Sequence, residues 1–169
     1  MSNQVDIEFT QNRRSTVAEE LGLSREGREV LDSALVVFLP SRGKGSHELP
    51  VFASGTRELF QYVFRNAPEN IPVDVASSDN QYRELAEHAD LLVLPTLFLA
   101  EPVALPVLLG VISNYLYDKA RTLLPGRTME VQSEVLIQSG DGMVSIKYKG
   151  PPDAYRDVVC EAFRNQNGA

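Results

Sequence analysis

The chain predicts a three-layer α/β fold, with a mixed sheet whose parallel strands are followed by a C-terminal antiparallel hairpin and a closing helix. Three observations predict it. Short apolar runs at 34–39, 71–76 and 91–94 alternate with helical segments, the pattern of parallel strands covered on both faces. The stretch 129–148 instead alternates apolar with polar residues on either side of Ser139-Gly140-Asp141-Gly142, the pattern of a hairpin with one wet face. With 169 residues, 43% hydrophobic and 23% charged, the chain has material for one core.

Residues 1–30 differ in texture from the rest and are expected to form an arm, loosely docked on a single domain spanning 31–169. Val5, Ile7 and Phe9 alternate as in a short strand. The charged segment 11–29 has helical character, with Ser15 placed to cap it and Val17, Leu21 and Val30 along one face. Gly22 and Gly27 weaken any long helix there.

The first apolar strand, 34–39, stops at Pro40, and a loop covers 41–50. A helix over 56–66 turns Leu59, Phe60, Val63 and Phe64 inward. A strand at 71–76 precedes a second helix over 80–89, on which Glu84 and His88 make a solvated pair. A third strand, 91–94, ends at Pro95, and 96–101 reads as loop.

The nearly continuous apolar stretch 91–112 raises the question of a membrane span. Pro95, Pro102 and Pro106 divide it, and the helix that Pro106 opens is short of the roughly 20 apolar residues a bilayer needs. The expectation is a buried helix with Leu108, Val111, Ile112 and Tyr115 inward, and no membrane span. The hairpin, with Val131, Val135 and Ile137 facing Val144, Ile146 and Tyr148, is expected at an edge of the sheet. Pro151-Pro152 opens a last helix that buries Tyr155, Val158, Val159, Ala162 and Phe163.

Charge and cysteine usage exclude several functions. A net charge of −7 repels polyanions, which argues against nucleic acid and anionic membrane surfaces. Ala18, Gly22 and Ser24 are spaced as in a helix-turn-helix, but Arg28 stands where an apolar anchor belongs. Cys160 is the single cysteine, set among Val158, Val159 and Phe163, and reads as a small core residue. One cysteine rules out an intrachain disulfide, and the polar first ten residues do not read as a signal peptide, so the expected compartment is the cytoplasm.

Ligands of open α/β sheets bind beyond the carboxyl ends of parallel strands. The loops expected there carry Arg42, Lys44, Ser46 and His47 among glycines, then Asp79, then Glu101. Glycine-freed N–H groups and two cations suit a phosphate, although the P-loop spacing is absent. Asp79 and Glu101 add acid/base or metal-binding capacity. No complete metal set, cofactor motif or nucleophile elbow is present, so no metal or cofactor is expected.

The apolar helix 105–119, LPVLLGVISNYLYDK, is followed by the hairpin, Lys147-Tyr148-Lys149-Gly150-Pro151 and a helix. This succession resembles small effector-associated accessory components of bacterial conflict and defence systems. The resemblance implies a protein partner or self-association, and it carries over no catalytic residue. The leading expectation is a non-enzymatic interaction or accessory module. The alternative is a binding protein or enzyme for a phosphorylated or nucleotide-like small molecule at the strand ends.

Overall fold

Strand β2 (Val36–Leu39) shows why the sheet needs cover on both sides, since all four of its side chains are buried. Val36 and Phe38 join one core cluster, while Val37 and Leu39 join another on the opposite face. In the computed structural model, residues 3–11, 13–41, 51–77, 82–84, 91–122, 126–140 and 142–167 are described. The remaining strands are β1 (Gln4–Thr10), β3 (Val73–Val75), β4 (Leu91–Val93), β5 (Thr96–Leu99), β6 (Glu130–Ser139) and β7 (Gly142–Gly150). The helices are α1 (Arg14–Glu20), α2 (Arg25–Ser33), α3 (Thr56–Asn66), α4 (Leu105–Arg121) and α5 (Tyr155–Asn167).

The sheet is mixed, in the order β1-β7-β6-β5-β2-β3, with β4 also paired to β6. Parallel pairing joins β2 to β3, β4 to β6 and β5 to β6, and the other contacts are antiparallel. Helices α3, α4 and α5 fill the larger core over one face, while Val17, Ala18, Leu23 and Leu31 of the α1–α2 segment cover part of the other. The three layers, the hairpin and the closing helix match the fold read from the sequence.

Several local expectations change. The hairpin β6–β7 is not at an edge, because β1 pairs along all of its seven residues with β7 and β5 flanks β6. Residues 96–99 are strand rather than loop. Leu97, Phe98 and Leu99 are fully buried, and burial on both faces outweighs the interruption at Pro95. The partner register shifts by one residue between β4 and β5, since Val93 lies opposite Gln132 but Leu97 lies opposite Val135. Leu94, Pro95 and Thr96 therefore face only Ser133 and Glu134, a bulge that accommodates the proline's missing N–H.

In the N-terminal segment, Ser24 rather than Ser15 caps a helix, its Oγ accepting from the Gly27 N–H at 3.1 Å. Gly27 is buried, and a Cβ there would lie 3.0 Å from the Ala76 carbonyl, so glycine lets α2 approach the end of β3. Gly22, with φ +62, makes the turn between α1 and α2. Phe64 is 64% exposed, because α3 buries the stripe Thr56, Leu59 and Val63 and Phe64 falls beside it. The expected helix over 80–89 is not helical where it is described. Tyr82 and Arg83 carry no regular structure, Glu84 forms an isolated parallel bridge with Phe52, and the rest of that span lies outside the described residues.

Helix α4 buries Leu108, Ile112 and Tyr115 as expected, and Val111 is partly buried. Among the described residues, no helix is long and apolar enough to cross a membrane. Replacing Ile112 by Ala should cost about 2–5 kcal/mol, read as a lowered midpoint in chemical denaturation. A tighter constraint sits at Gly142, where a Cβ would lie 2.5 Å from Phe9 Cζ and 2.7 Å from the Thr10 carbonyl. Gly142→Ala should destabilise by about 1–3 kcal/mol. Phe9→Ala in the same chain should relieve only part of that, because the backbone clash remains.

Candidate functional site

Residues on one face of neighbouring strands stand opposite one another, so register decides which side chains meet. The face that α1 and α2 partly cover also carries Gln4, Asp6 and Glu8 of β1, Lys149, Lys147 and Ser145 of β7, and Gln132 and Glu134 of β6. Asp6 is opposite Lys147, which is opposite Glu134; Gln4, Lys149 and Gln132 align in the same way. The row at Lys147 is thus acid–base–acid across three strands.

Two adjoining hollows lie on this face. One, of about 380 Å³, is bordered by Gln4, Asp6, Gln132 and Lys149; the other, of about 470 Å³, by Glu8, Glu20, Leu21 and Met143. Ser41, Thr96, Glu134 and Lys147 border both. Ser145 Oγ donates to Glu134 Oε1 at 3.2 Å, and Lys149 Nζ lies 3.6 Å from Glu130 Oε1. Lys147 makes no ion pair with a described residue. With Asp6, Glu8, Glu130 and Glu134 around two lysines, the face is net acidic. It offers hydrogen bonding and charge pairing to a polar surface rather than a cradle for a polyanion.

The residues that the sequence picked out do not all reach this face. Arg42, Lys44, Ser46, His47 and Asp79 lie outside the described residues. Ser41, immediately before that loop, does border the hollows, and Ser77 ends the described segment after β3. Glu101 is exposed and lies at the other end of the sheet, because β5 runs antiparallel to β2 and the Ala100 N–H donates to the Leu35 carbonyl at the start of β2.

A second polar constellation gives no signal in the sequence. Helix α3 follows Gly55 at φ +79, which has no side chain to cap it. Glu84 supplies the cap from another part of the chain, its Oε1 accepting from the Arg57 N–H at 2.8 Å and from the Tyr82 hydroxyl at 2.6 Å. The Arg57 guanidinium stands 4.8 Å above the Tyr82 ring, which stacks on Phe52 at 4.9 Å. Burial acts to raise the pKa of Glu84. The hydrogen bonds from Tyr82, Arg57 and Gly55 and the charge of Arg57 outweigh it and hold the carboxyl below its usual range. Burial first, then the bond to Glu84, pushes the Tyr82 hydroxyl up, so it stays protonated as the donor. Nearby, Glu58 and Lys119 pair at 2.8 Å beside Tyr115, whose hydroxyl is raised by burial and then by the charge of Glu58.

Cys160 is half-buried against the larger core, and burial pushes its thiol up, away from the reactive thiolate. Among the described residues no group of three His, Cys, Asp or Glu side chains could hold a metal ion. Comparison with protein-family models, with curated proteins and with solved structures finds no match for this chain.

The depressed carboxyl of Glu84 gives a signed prediction. A group whose pKa is lower in the folded state adds stability above its unfolded pKa and loses it as pH falls through the folded one. Wild type should therefore lose more stability than Glu84→Gln on acidification from neutral pH, measured by urea midpoints across that range. Equal losses would show that the carboxylate cap contributes nothing.

Proposed function

We propose that the chain is a non-enzymatic protein-interaction module that offers the free edge of β1 to a partner. One observation carries the reading. Proteins normally blunt sheet edges by keeping them short, bulged or covered, or by placing Pro or charge, especially Lys, on them. The far edge, β3, is short, spanning Val73–Val75. Strand β1 has seven residues in unbroken register, contains neither Pro nor Lys, carries charge only at Asp6 and Glu8 on one face, and has a strand on one side only among the described residues. Its Phe9 is 53% and its Val5 37% exposed. An accessible edge of this kind suits strand addition, in which main-chain bonds give affinity and alternate side chains give specificity.

The module reading agrees with the resemblance to accessory components of bacterial conflict systems, and we extend it to that role. We place the chain in the cytoplasm, since its single cysteine forms no intrachain disulfide. Affinity capture from cell extract with wild type and Ile7→Pro tests the edge, because proline removes a ladder N–H. Partners captured by wild type and lost with a folded Ile7→Pro chain are expected. The same partners captured by both would overturn the reading.

A second reading keeps the strand-end ligand, a phosphorylated or nucleotide-like molecule. It is favoured by Ser41 and Lys147, which border both hollows; Ser41 immediately precedes Arg42, Lys44, Ser46 and His47 in the sequence. A thermal-shift panel of nucleotides and sugar phosphates tests it. Binding at 100 times the dissociation constant should stabilise by about 2.7 kcal/mol.

A further inference from the structure

The groove-facing side chains of β1 limit what can pair with its free edge. Asp6 and Glu8 sit two residues apart on the same face of the strand, so both point the same way out of the sheet. Neither makes an ion pair with a described residue. Ile7 lies on the opposite face, against the larger core, with Val5 and Phe9 on either side of it and partly exposed. The edge therefore presents two separate demands: positive charge on one face and apolar contact on the other.

The inner neighbour shows what meets both. Strand β7 places Lys147 opposite Asp6, Ile146 opposite Ile7, Val144 opposite Phe9 and Tyr148 opposite Val5. It thus sets apolar residues against Val5, Ile7 and Phe9, a lysine against Asp6 and a serine against Glu8, which leaves Glu8 without a directly opposed cation. A strand added at the outer edge of β1 meets the same side chains, so charge complementarity calls for a cation at Asp6 and at Glu8 with apolar residues between them.

A second copy of this chain does not meet those demands. A closed dimer formed edge to edge has two-fold symmetry, which pairs the two β1 strands antiparallel with like faces together. Any such register that pairs most of Gln4–Thr10 sets Asp6 against Asp6, Asp6 against Glu8, or Glu8 against Glu8. Like charges directly opposite destabilise a strand pair, whereas opposite charges stabilise it. The two acids that bar self-pairing also select the partner.

Resting on the edge reading above, we infer that β1 receives a protein segment of alternating basic and aliphatic residues. That segment sets Lys or Arg against Asp6 and Glu8, and aliphatic side chains beside Val5, Ile7 and Phe9, and it is not a second copy of this chain.

The probe is a labelled, terminally blocked peptide with the sequence of residues 143–149, MVSIKYK. The control is the same peptide with both lysines changed to glutamate. Fluorescence anisotropy against the whole chain should show the lysine peptide binding at least about tenfold more tightly, a difference of about 1.4 kcal/mol. That preference should fade on raising salt from about 0.1 M to 1 M, which shortens the screening length from about 10 Å to 3 Å. It should also fade in the Asp6→Asn, Glu8→Gln double variant, with circular dichroism used to check that its fold matches wild type. Amide shifts on binding should concentrate in Gln4–Thr10.

Equal binding of the two peptides, or shifts centred elsewhere, would overturn the inference. So would light scattering that shows a dimer lost on Ile7→Pro. No peptide binding together with capture that is sensitive to Ile7→Pro overturns the basic-partner inference and leaves the edge reading standing. Capture that is insensitive to Ile7→Pro removes both.

Discussion

Strand β6 is the member on which the other layers depend. It pairs with β7 over its length, with β4 along its first half and with β5 along its second, and it changes partner where the sheet admits an extra residue. Ser133 lies at that change of register. It is a buried hydroxyl, and it shares a 2.8 Å hydrogen bond with the hydroxyl of Tyr155 at the start of α5. Tyr155 is itself fully buried, and Tyr148 one strand over donates to the Pro151 carbonyl at 2.6 Å. A buried polar group without a partner would cost about 1–3 kcal/mol, so these bonds fix where α5 can sit. Sheet register, closing helix and the turn that joins them are therefore one arrangement.

The same register sets up the polar face. Since β7 is held between β6 and β1, Lys147 lies between Asp6 and Glu134, Lys149 lies between Gln4 and Gln132, and the apolar residues of β7 lie in the core. The hollows and the exposed β1 edge are two views of one ladder. A partner strand at the edge would extend that ladder and border the hollow that Asp6 lines. Edge pairing and contacts to the polar face are therefore not independent surfaces.

How much of this was legible in the sequence depended on the period of each segment. Where apolar residues alternated cleanly, as at Val131, Val135 and Ile137, the strand and its buried face could be read directly. The same was true of α4, where Leu108, Ile112 and Tyr115 recur at helical spacing. Residues 96–99 were misread because Pro95 signals a break, and only the pairing with two neighbours shows that the chain resumes as strand. The position of the hairpin was misread for a related reason, since nothing local to β7 reveals that residues 4–10 return to cover it. The Glu84 cap was invisible because its signal is split between Gly55 and a carboxylate far along the chain. Of the candidate site, only Glu101 among the residues singled out falls on described structure, and strand direction, which periodicity does not encode, sends it to the opposite end of the sheet.

That borrowed cap has a consequence for the order in which the protein assembles. Most helices carry their first hydrogen-bond acceptor at the boundary itself, so the end can form as soon as the local chain is made. The first turn of α3 instead takes its acceptor from 27 residues further along. Closing that loop has an entropic cost before the bond forms. The cap on the N-terminal turn of α3 therefore cannot form until that loop has closed. In the native protein the first turn of α3 and the segment around Phe52 are both tied to residues 83–84, so opening of that segment would free the Arg57 and Phe52 amides together.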